Sequence, residues 1–501
     1  MAGKKGQKAG GKSNGGKSAP KQIIDAIPLK KSNSNSTSFF LSSLPGIVLA
    51  VAAALWFHKG GGGNGGISLS TGPESGGASL VQPKQKKSQH SSYSSRQLIQ
   101  PKPDTWTDGY YTTEDVPDQF AASTHALLYS NGGYGEPEMV SFANDEEFIE
   151  LGRLYNDLGQ IVQSPFHFRN GTALYRGPEK PGTHFQWPAV HVGYKRPIPG
   201  VYGGNGKQIE LETLTTPTTE AYSSDPRVFY IHNFLSPEEA DEFVRFSTAE
   251  ENPYKMAPST GGTHKAWNQG GSNARLTTRT SENAFDVSTQ QSKLVKRRAF
   301  RLLRMGAYKE SMADGIQILR YELGQAYVAH HDYFPVHQSD DHLWDPSRGG
   351  SNRFATVFLY LSDVEAGGQT AFPNSDRLTR EQSAELVDRL GESPPMEQRM
   401  EYIKEAGLKE GSWESSLTLS CYEKFAVPPR RGDAILFYSQ RPDGHLDVNS
   451  LHGACPVLKG TKWGANLWVW NACRYSQCTS DPLHPAAELM DEMKAPFPGG
   501  I

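Results

Sequence analysis

The stretch YELGQAYVAHHDYF, residues 321–334, decides how this chain is read. It overlaps the end of a β-like run at 315–322 and carries His330 and Asp332 two positions apart. On an extended chain, residues two apart project from the same face. With one more histidine from a neighbouring strand, the pair can hold adjacent positions around Fe(II) and leave the others open for co-substrate and oxygen. A His-x-Asp pair alone says little. With 15 histidines and 54 acidic residues, chance supplies another, His445-Leu446-Asp447. Context separates the two, because the second pair follows the loop-forming Arg441-Pro-Asp-Gly444. A third ligand is available at His452, within Ser450-Leu451-His452-Gly453. Ten residues later stands Lys462, beside Trp463 on the edge of the last β-like segment. An ammonium there can hold the far carboxylate of a dicarboxylic co-substrate whose near end chelates iron. Each residue taken singly has an ordinary alternative, a surface histidine or a solvated lysine; the ordered set is much harder to obtain by accident.

Around this stretch the pattern is strand-rich. A β-like run at Val228–His232 leads into Asn233-Phe-Leu-Ser-Pro-Glu-Glu-Ala240. There Ser236 is placed as N-cap, Pro237 at the first helical position and Glu239 three beyond the cap, which is a capping box. A second helix is expected over 291–308, and further strands at 354–362, 433–439 and 464–471. Helices first and many short strands afterwards predict a mainly β fold with flanking helices (α+β), a sandwich or barrel with helices on one side. An interruption at 374–424 contains an expected helix pair, 381–390 and 396–406, and reads as surface decoration, with a mobile substrate lid as the alternative. Upstream, residues 105–205 form an ordered extension of unknown role; Phe148, Ile149, Leu151, Leu154, Tyr155 and Leu158 follow the 3.6-residue period and predict a helix over 146–162.

At the other end, FFLSSLPGIVLAVAAALWF (39–57) holds nineteen residues without a charge. At about 1.5 Å per residue a helix of this length spans roughly the 30 Å hydrocarbon core. Lys21, Lys30 and Lys31 precede it, against Lys59 alone just after, so the basic tail 1–38 stays cytosolic and the body is lumenal. A cleaved signal peptide is the rival reading, opposed by the long charged region ahead of the apolar run. The expectation is a single-pass type II membrane protein of the endoplasmic reticulum or Golgi, with a signal anchor at 39–57. A flexible Gly/Ser-rich stalk follows at 58–104, and a C-terminal tail at 479–501. Asn170-Gly171-Thr172 is a glycosylation sequon that fits a lumenal glycoprotein.

Charge and cysteine content exclude other classes. The chain has 501 residues, 51 Lys+Arg and 54 Asp+Glu; residues 1–38 carry +7, which leaves the remainder at −10. Such a body is a poor nucleic-acid binder. Four cysteines, at 421, 455, 473 and 478, allow one or two disulfides, of which Cys473–Cys478 is locally easy; no C-x-x-C pair supports a zinc site.

Over roughly residues 208–474 the chain resembles the prolyl 4-hydroxylases, the membrane-anchored plant and algal kind of Fe(II)/2-oxoglutarate dioxygenase. The resemblance runs through Leu211-Glu-Thr-Leu214, Arg279-Thr-Ser281, the 321–334 block, 353–361 and Gly367-Gly-Gln-Thr-Ala-Phe-Pro373. It ends at Arg431-Gly-Asp-Ala-Ile-Leu-Phe437, 451–456 and Gly460-Thr-Lys-Trp463. It implies a double-stranded β-helix, or jelly roll, as catalytic domain at 206–478. His330, Asp332 and His452 match the family's iron ligands, and Lys462 the partner of the 2-oxoglutarate carboxylate. Tyr321 and Thr370 match the lining of that pocket, Trp468 an aromatic wall, and Arg353 a basic residue beside the peptide groove; Tyr333 is a candidate wall for a polyproline II substrate. Phe334 is read as core packing. The implied reaction converts peptidyl proline to 4-hydroxyproline with Fe(II), 2-oxoglutarate, O2 and ascorbate, giving succinate and CO2, on a proline-rich peptide or protein. The same core acting on another residue or a small molecule, and a catalytically silent lumenal binding protein, are the alternatives. The chain departs from the family pattern at the 374–424 insertion, in the 105–205 extension, and at Asn466-Leu467, where relatives often have a threonine and a basic residue.

Overall fold

The computed structural model describes residues 122–216, 226–259, 279–336 and 343–474. The expected anchor at 39–57, the stalk and the C-terminal tail lie outside these residues. Among the described residues no helix is long and apolar enough to cross a membrane.

The extension builds a small sheet of its own. Strands β1 (His125–Tyr129), β2 (Glu138–Ser141), β3 (Leu154–Tyr155), β4 (Ile161–Val162) and β5 (Ala173–Arg176) lie in the order β2-β1-β5-β3-β4. The helix expected over 146–162 is confined to α1 (Asp145–Glu150). Asn144 caps it, its side chain accepting from the Glu147 N–H, and three acids in the first turn complement the helix dipole. Gly152, at φ +91°, then turns the chain out of the helix. Beyond it Leu154 and Tyr155 pair with Val162 and Ile161 as a hairpin. The apolar spacing that imitates one long helix face is therefore shared out: Phe148 and Ile149 lie in α1, Leu151 caps it, Leu154 and Tyr155 form β3, and Leu158 lies in the hairpin turn. Gly159, in their turn, has φ +68°, and a Cβ there would meet the Trp187 ring at 2.6 Å.

The main body continues with β6 (Lys195–Tyr202), β7 (Gln208–Thr213), β8 (Val228–His232), α2 (Pro237–Thr248), β9 (Ala257–Pro258), β10 (Glu282–Asp286) and α3 (Gln290–Leu302). Then come β11 (Ile316–Tyr321), β12 (Tyr327–His330), β13 (Arg353–Tyr360), β14 (Ala366–Gly367) and β15 (Thr370–Phe372). After four helices of the insertion follow β16 (Phe425–Val427), β17 (Ala434–Tyr438), β18 (His452–Ala454), β19 (Val457–Lys459) and β20 (Lys462–Trp470). Nine strands form the large sheet, β6-β7-β8-β17-β13-β20-β11-β10-β9, and four the small one, β12-β18-β15-β16. The large sheet thus begins at Lys195, inside the stretch assigned from sequence to the extension.

Period-two alternation sorts the side chains of the large sheet into two cores. Phe229, Ile231, Ile316, Ile318, Val357, Leu359, Leu436, Leu467 and Val469 pack with Phe243 of α2 and Val295, Ala299 and Phe300 of α3. The alternate positions, Val228, Tyr230, Leu319, Tyr321, Phe358, Tyr360, Ile435 and Phe437, pack with Phe372, Phe425, Val427 and Ala454 of the small sheet. Two facing sheets with helices on the outer side of one are the mainly β arrangement the pattern predicts, and they are consistent with the jelly roll that the resemblance implies. The capping box of α2 is formed in both directions, and Glu239 also accepts both guanidinium nitrogens of Arg298 on α3, each at 2.9 Å. One side chain therefore caps one helix and ties it to the next.

The insertion folds as α4 (Arg380–Ala384), α5 (Val387–Leu390), α6 (Met396–Glu405) and α7 (Trp413–Glu423). The first expected helix is split at Leu386, which leaves the helical φ and is fully buried in the inter-sheet core. The Ser- and Thr-rich α7 lacks an apolar stripe and went unforeseen for that reason. A disulfide joins Cys421 on α7 to Cys455, just after β18. Cys473 is disulfide-bonded as well. The insertion is thus fastened to the strand that carries His452.

Candidate metal centre

Three cross-strand pairs build the site, and each follows from strand register. Directly opposed residues of antiparallel strands stand side by side on one face. In the small sheet His330 of β12 is the partner of His452 of β18. In the large sheet Tyr321 of β11 faces Lys462 of β20, and Thr356 of β13 faces Trp468 of β20. Positions 462, 464, 466 and 468 share one parity, so Lys462 and Trp468 point between the sheets while Leu467 enters the outer core.

His330, Asp332 and His452 each offer one ligand atom, all lying within 4.8 Å of one another. His452 Nε2 is 3.5 Å from Asp332 Oδ2, and His330 Nε2 is 3.7 Å from Asp332 Oδ1. The other ring nitrogens are committed: His330 Nδ1 donates to the Val328 carbonyl at 3.0 Å and His452 Nδ1 to the Ser450 carbonyl at 2.9 Å. Those bonds leave each Nε2 with a lone pair directed at the carboxylate. Burial lowers both imidazole pKa values, His330 to about 3 with help from His452, so both rings are neutral ligands. Burial works against the Asp332 anion too, but at low pH the facing His452 and His330 in their protonated forms, with the Arg353 guanidinium and the Trp468 N–H, outweigh it and hold the carboxyl at about 2. Two neutral imidazoles and one anionic carboxylate are a donor set suited to Fe(II). The second pair, His445 and Asp447, joins no such cluster among the described residues.

Residues around Asp332 orient it. Its Oδ2 accepts from Thr356 Oγ1 at 2.9 Å and from the Trp468 indole N–H at 2.8 Å. Trp468, expected as an aromatic wall, thus also holds the carboxylate by its nitrogen. The Arg353 guanidinium lies 3.6 Å over the Trp468 ring, 3.0 Å from Asp314 Oδ2 and 3.8 Å from Asp332 Oδ1. Tyr327 lies against His330 with ring centroids 4.0 Å apart, and the Arg279 guanidinium lies 4.6 Å from the centre of the Tyr327 ring. Thr356, Tyr327 and Arg279 went unassigned from sequence, because only register shows which strand residues flank a ligand.

Lys462 is fully buried, and its Nζ has no hydrogen-bond partner among the described residues. The aromatic rings of Phe358 and Tyr321 lie 5.1 and 5.6 Å from it. Burial brings its pKa down to about 7. A buried amine without a counter-ion is costly unless an anion completes it. Gly368, at φ +68°, passes close by, and a Cβ there would meet Lys462 Cδ at 3.3 Å. Thr370 is buried and its Oγ1 accepts from Tyr360 Oη at 3.2 Å. Tyr333 is half-buried, with its hydroxyl 3.3 Å from the Gly444 carbonyl. Phe334, read from sequence as core packing, is half-buried and forms a three-ring cluster with Trp344 and Trp470, which also touch each other.

The profile of the 2OG-Fe(II) oxygenase superfamily matches residues 316–470, from the first residue of β11 to the last of β20. The probable prolyl 4-hydroxylase 7 of Arabidopsis thaliana is 34% identical over 244 residues, 49% of this chain and 62% of that protein, just under two thirds of its length. The probable prolyl 4-hydroxylase 3 of the same plant is 32% identical over 251 residues, 50% of this chain and 71% of the relative. Among solved structures, the viral collagen prolyl hydroxylase of Paramecium bursaria Chlorella virus-1 aligns over 48% of this chain and 95% of its own, with 19% identity and a TM-score of 0.28.

Proposed function

As the chain belongs to the prolyl 4-hydroxylase family, we propose that it converts peptidyl proline to 4-hydroxyproline, with 2-oxoglutarate decarboxylated to succinate and CO2. The observation that carries this reading is the pairing of a His-Asp-His ligand set with a buried lysine whose ammonium has no hydrogen-bond partner among the described residues. His330, Asp332 and His452 hold Fe(II); the metal, with 2-oxoglutarate and O2, supplies the oxidising power for an unactivated C–H bond, and ascorbate supports turnover. Lys462 receives the far carboxylate of 2-oxoglutarate, with Tyr321, its cross-strand partner, and Thr370 beside the co-substrate. Thr356 and Trp468 fix the Asp332 carboxylate so that it meets the metal in one orientation. Tyr333, and Arg353 layered on Trp468, are the side chains assigned to the peptide, a proline-rich segment in the polyproline II form.

The body works on the lumenal side of an endoplasmic reticulum or Golgi membrane, held by a type II signal anchor at 39–57 and glycosylated at Asn170. The uncharged run with lysines ahead of it supports the anchor. The exposed position of Asn170 supports the modification.

The test is incubation of the lumenal part with Fe(II), 2-oxoglutarate, ascorbate and a panel of proline-containing peptides. Succinate release stimulated by a proline-rich peptide, with one oxygen gained on proline, is the expected result. Succinate release that no such peptide stimulates would overturn the substrate assignment.

A further inference from the structure

Asp332 does not stand on a regular strand; it follows the end of β12 by two residues. A single buried amide fixes the chain beyond it. Asn352, fully buried just ahead of β13, uses all four of its side-chain hydrogen-bonding positions. Its Nδ2 donates to the carbonyls of Phe334 at 2.9 Å and Trp344 at 2.8 Å. Its Oδ1 accepts the N–H groups of Phe334 at 3.0 Å and Arg353 at 2.9 Å. Phe334 is therefore gripped at both its N–H and its C=O, two residues from the ligand carboxylate. Arg353, gripped by the same amide, is the residue whose guanidinium reaches Asp332.

Asn352 is itself set by Asn471, just past β20. Asn352 N donates to Asn471 Oδ1 at 2.6 Å, and Asn471 N to the Asn352 carbonyl at 3.0 Å. From there the network enters the extension. Asn471 Nδ2 donates to the Gly182 carbonyl at 3.1 Å, and His184 Nε2 lies 2.6 Å from the Asn471 carbonyl. A carbonyl only accepts, so this Nε2 carries the hydrogen. A second line runs parallel: Gln186 Nε2 donates to the Gln440 carbonyl at 2.8 Å, and Gln440 Nε2 donates to the carbonyls of Asn352 at 3.3 Å and Arg353 at 3.1 Å.

We infer that His184 of the extension is a positioning residue for the Asp332 carboxylate, acting through Asn471 and Asn352. The extension is then a working part of the metal centre and not an appended module. This rests on the metal assignment of the preceding subsection.

Co(II) is the probe, titrated into the purified protein and read by calorimetry and its visible absorption, alongside a thermal melt. His184→Ala is expected to bind Co(II) about tenfold more weakly than the wild type, as loss of outer support commonly does. His184→Gln, which keeps an N–H donor, recovers most of that loss. Equal Co(II) affinity in His184→Ala and wild type, whatever the melting temperature, would overturn the inference, because the contact would then serve the fold alone. A Gln variant as weak as the Ala variant would overturn the hydrogen-bond route. Should His184→Ala not fold, His184→Phe, which keeps a ring against Phe354 but removes the N–H donor, carries the same expectation and the same contradicting result. A wild type that binds no Co(II) strikes the metal assignment itself, which separates that failure from this one.

Discussion

At the scale of single residues, Lys462 makes the sharpest prediction. Its pKa of about 7, lowered by burial, means the free site is half neutral near physiological pH. A bound carboxylate favours the charged amine, so 2-oxoglutarate binding takes up a proton above pH ~7. Affinity is then full below ~7 and falls by up to about tenfold per pH unit above it, until the raised pKa of the complex is passed. Calorimetry in buffers of different ionisation heat measures both the uptake and the slope, and Lys462→Met flattens the profile at a weak affinity. A wild-type affinity independent of pH from about 6 to 9 would contradict this linkage. Trp468→Phe keeps the ring but removes the 2.8 Å bond to Asp332. It is expected to weaken metal binding about 10- to 100-fold with little loss of stability, measured by Co(II) titration. His330, Asp332, His452 and Lys462 are legible in sequence because their types and spacing are chemically unusual. Thr356 is not, since a threonine inside a strand has no signature until pairing with Trp468 places it against the carboxylate.

At the scale of elements, local rules read well where one interaction dominates. The Ser236–Glu239 capping box and Pro237 start α2 where the sequence predicts, and Val228–His232 is a strand as read. Ser236→Ala should cost about 1 kcal/mol and lower the melting temperature by a few degrees without altering metal affinity. Periodicity misleads in the 146–162 segment, where a glycine at φ +91° and a tight hairpin impose a fold that apolar spacing alone does not reveal. In the insertion, Ser/Thr-rich α7 is held by tertiary contacts and by the bond to Cys455. Closing a loop of 34 residues by the Cys421–Cys455 bridge is worth about 3–4 kcal/mol on the chain-entropy model. Cys421→Ser/Cys455→Ser should therefore unfold at lower denaturant and be cut first within 374–424 under limited proteolysis; cleavage unchanged from wild type would show that packing of Leu386 and Leu390 suffices.

At the scale of the whole molecule, the two-sheet architecture follows from short β-like runs with alternating burial, and its open question in sequence was which faces meet. Register answers it: one parity of the large sheet packs on α2 and α3, the other on the small sheet, and the metal ligands fall at the boundary between the sheets. The extension was readable as folded but not in its attachment, because Asn352, Asn471 and His184 lie far apart in the chain and carry no motif. Membrane anchoring belongs to this scale too. The full chain is expected to resist alkaline carbonate extraction and a variant lacking 39–57 to be released, with the body protected from added protease in sealed microsomes; extraction of the full chain would remove the anchor. The stoichiometry of Co(II) binding in four alanine variants tests whether the three ligands meet at one metal. His330→Ala, Asp332→Ala and His452→Ala should each abolish the single site, whereas His445→Ala binds like the wild type. Retained one-to-one binding in any of the first three, or its loss in the last, would contradict the convergence of those three side chains on one metal.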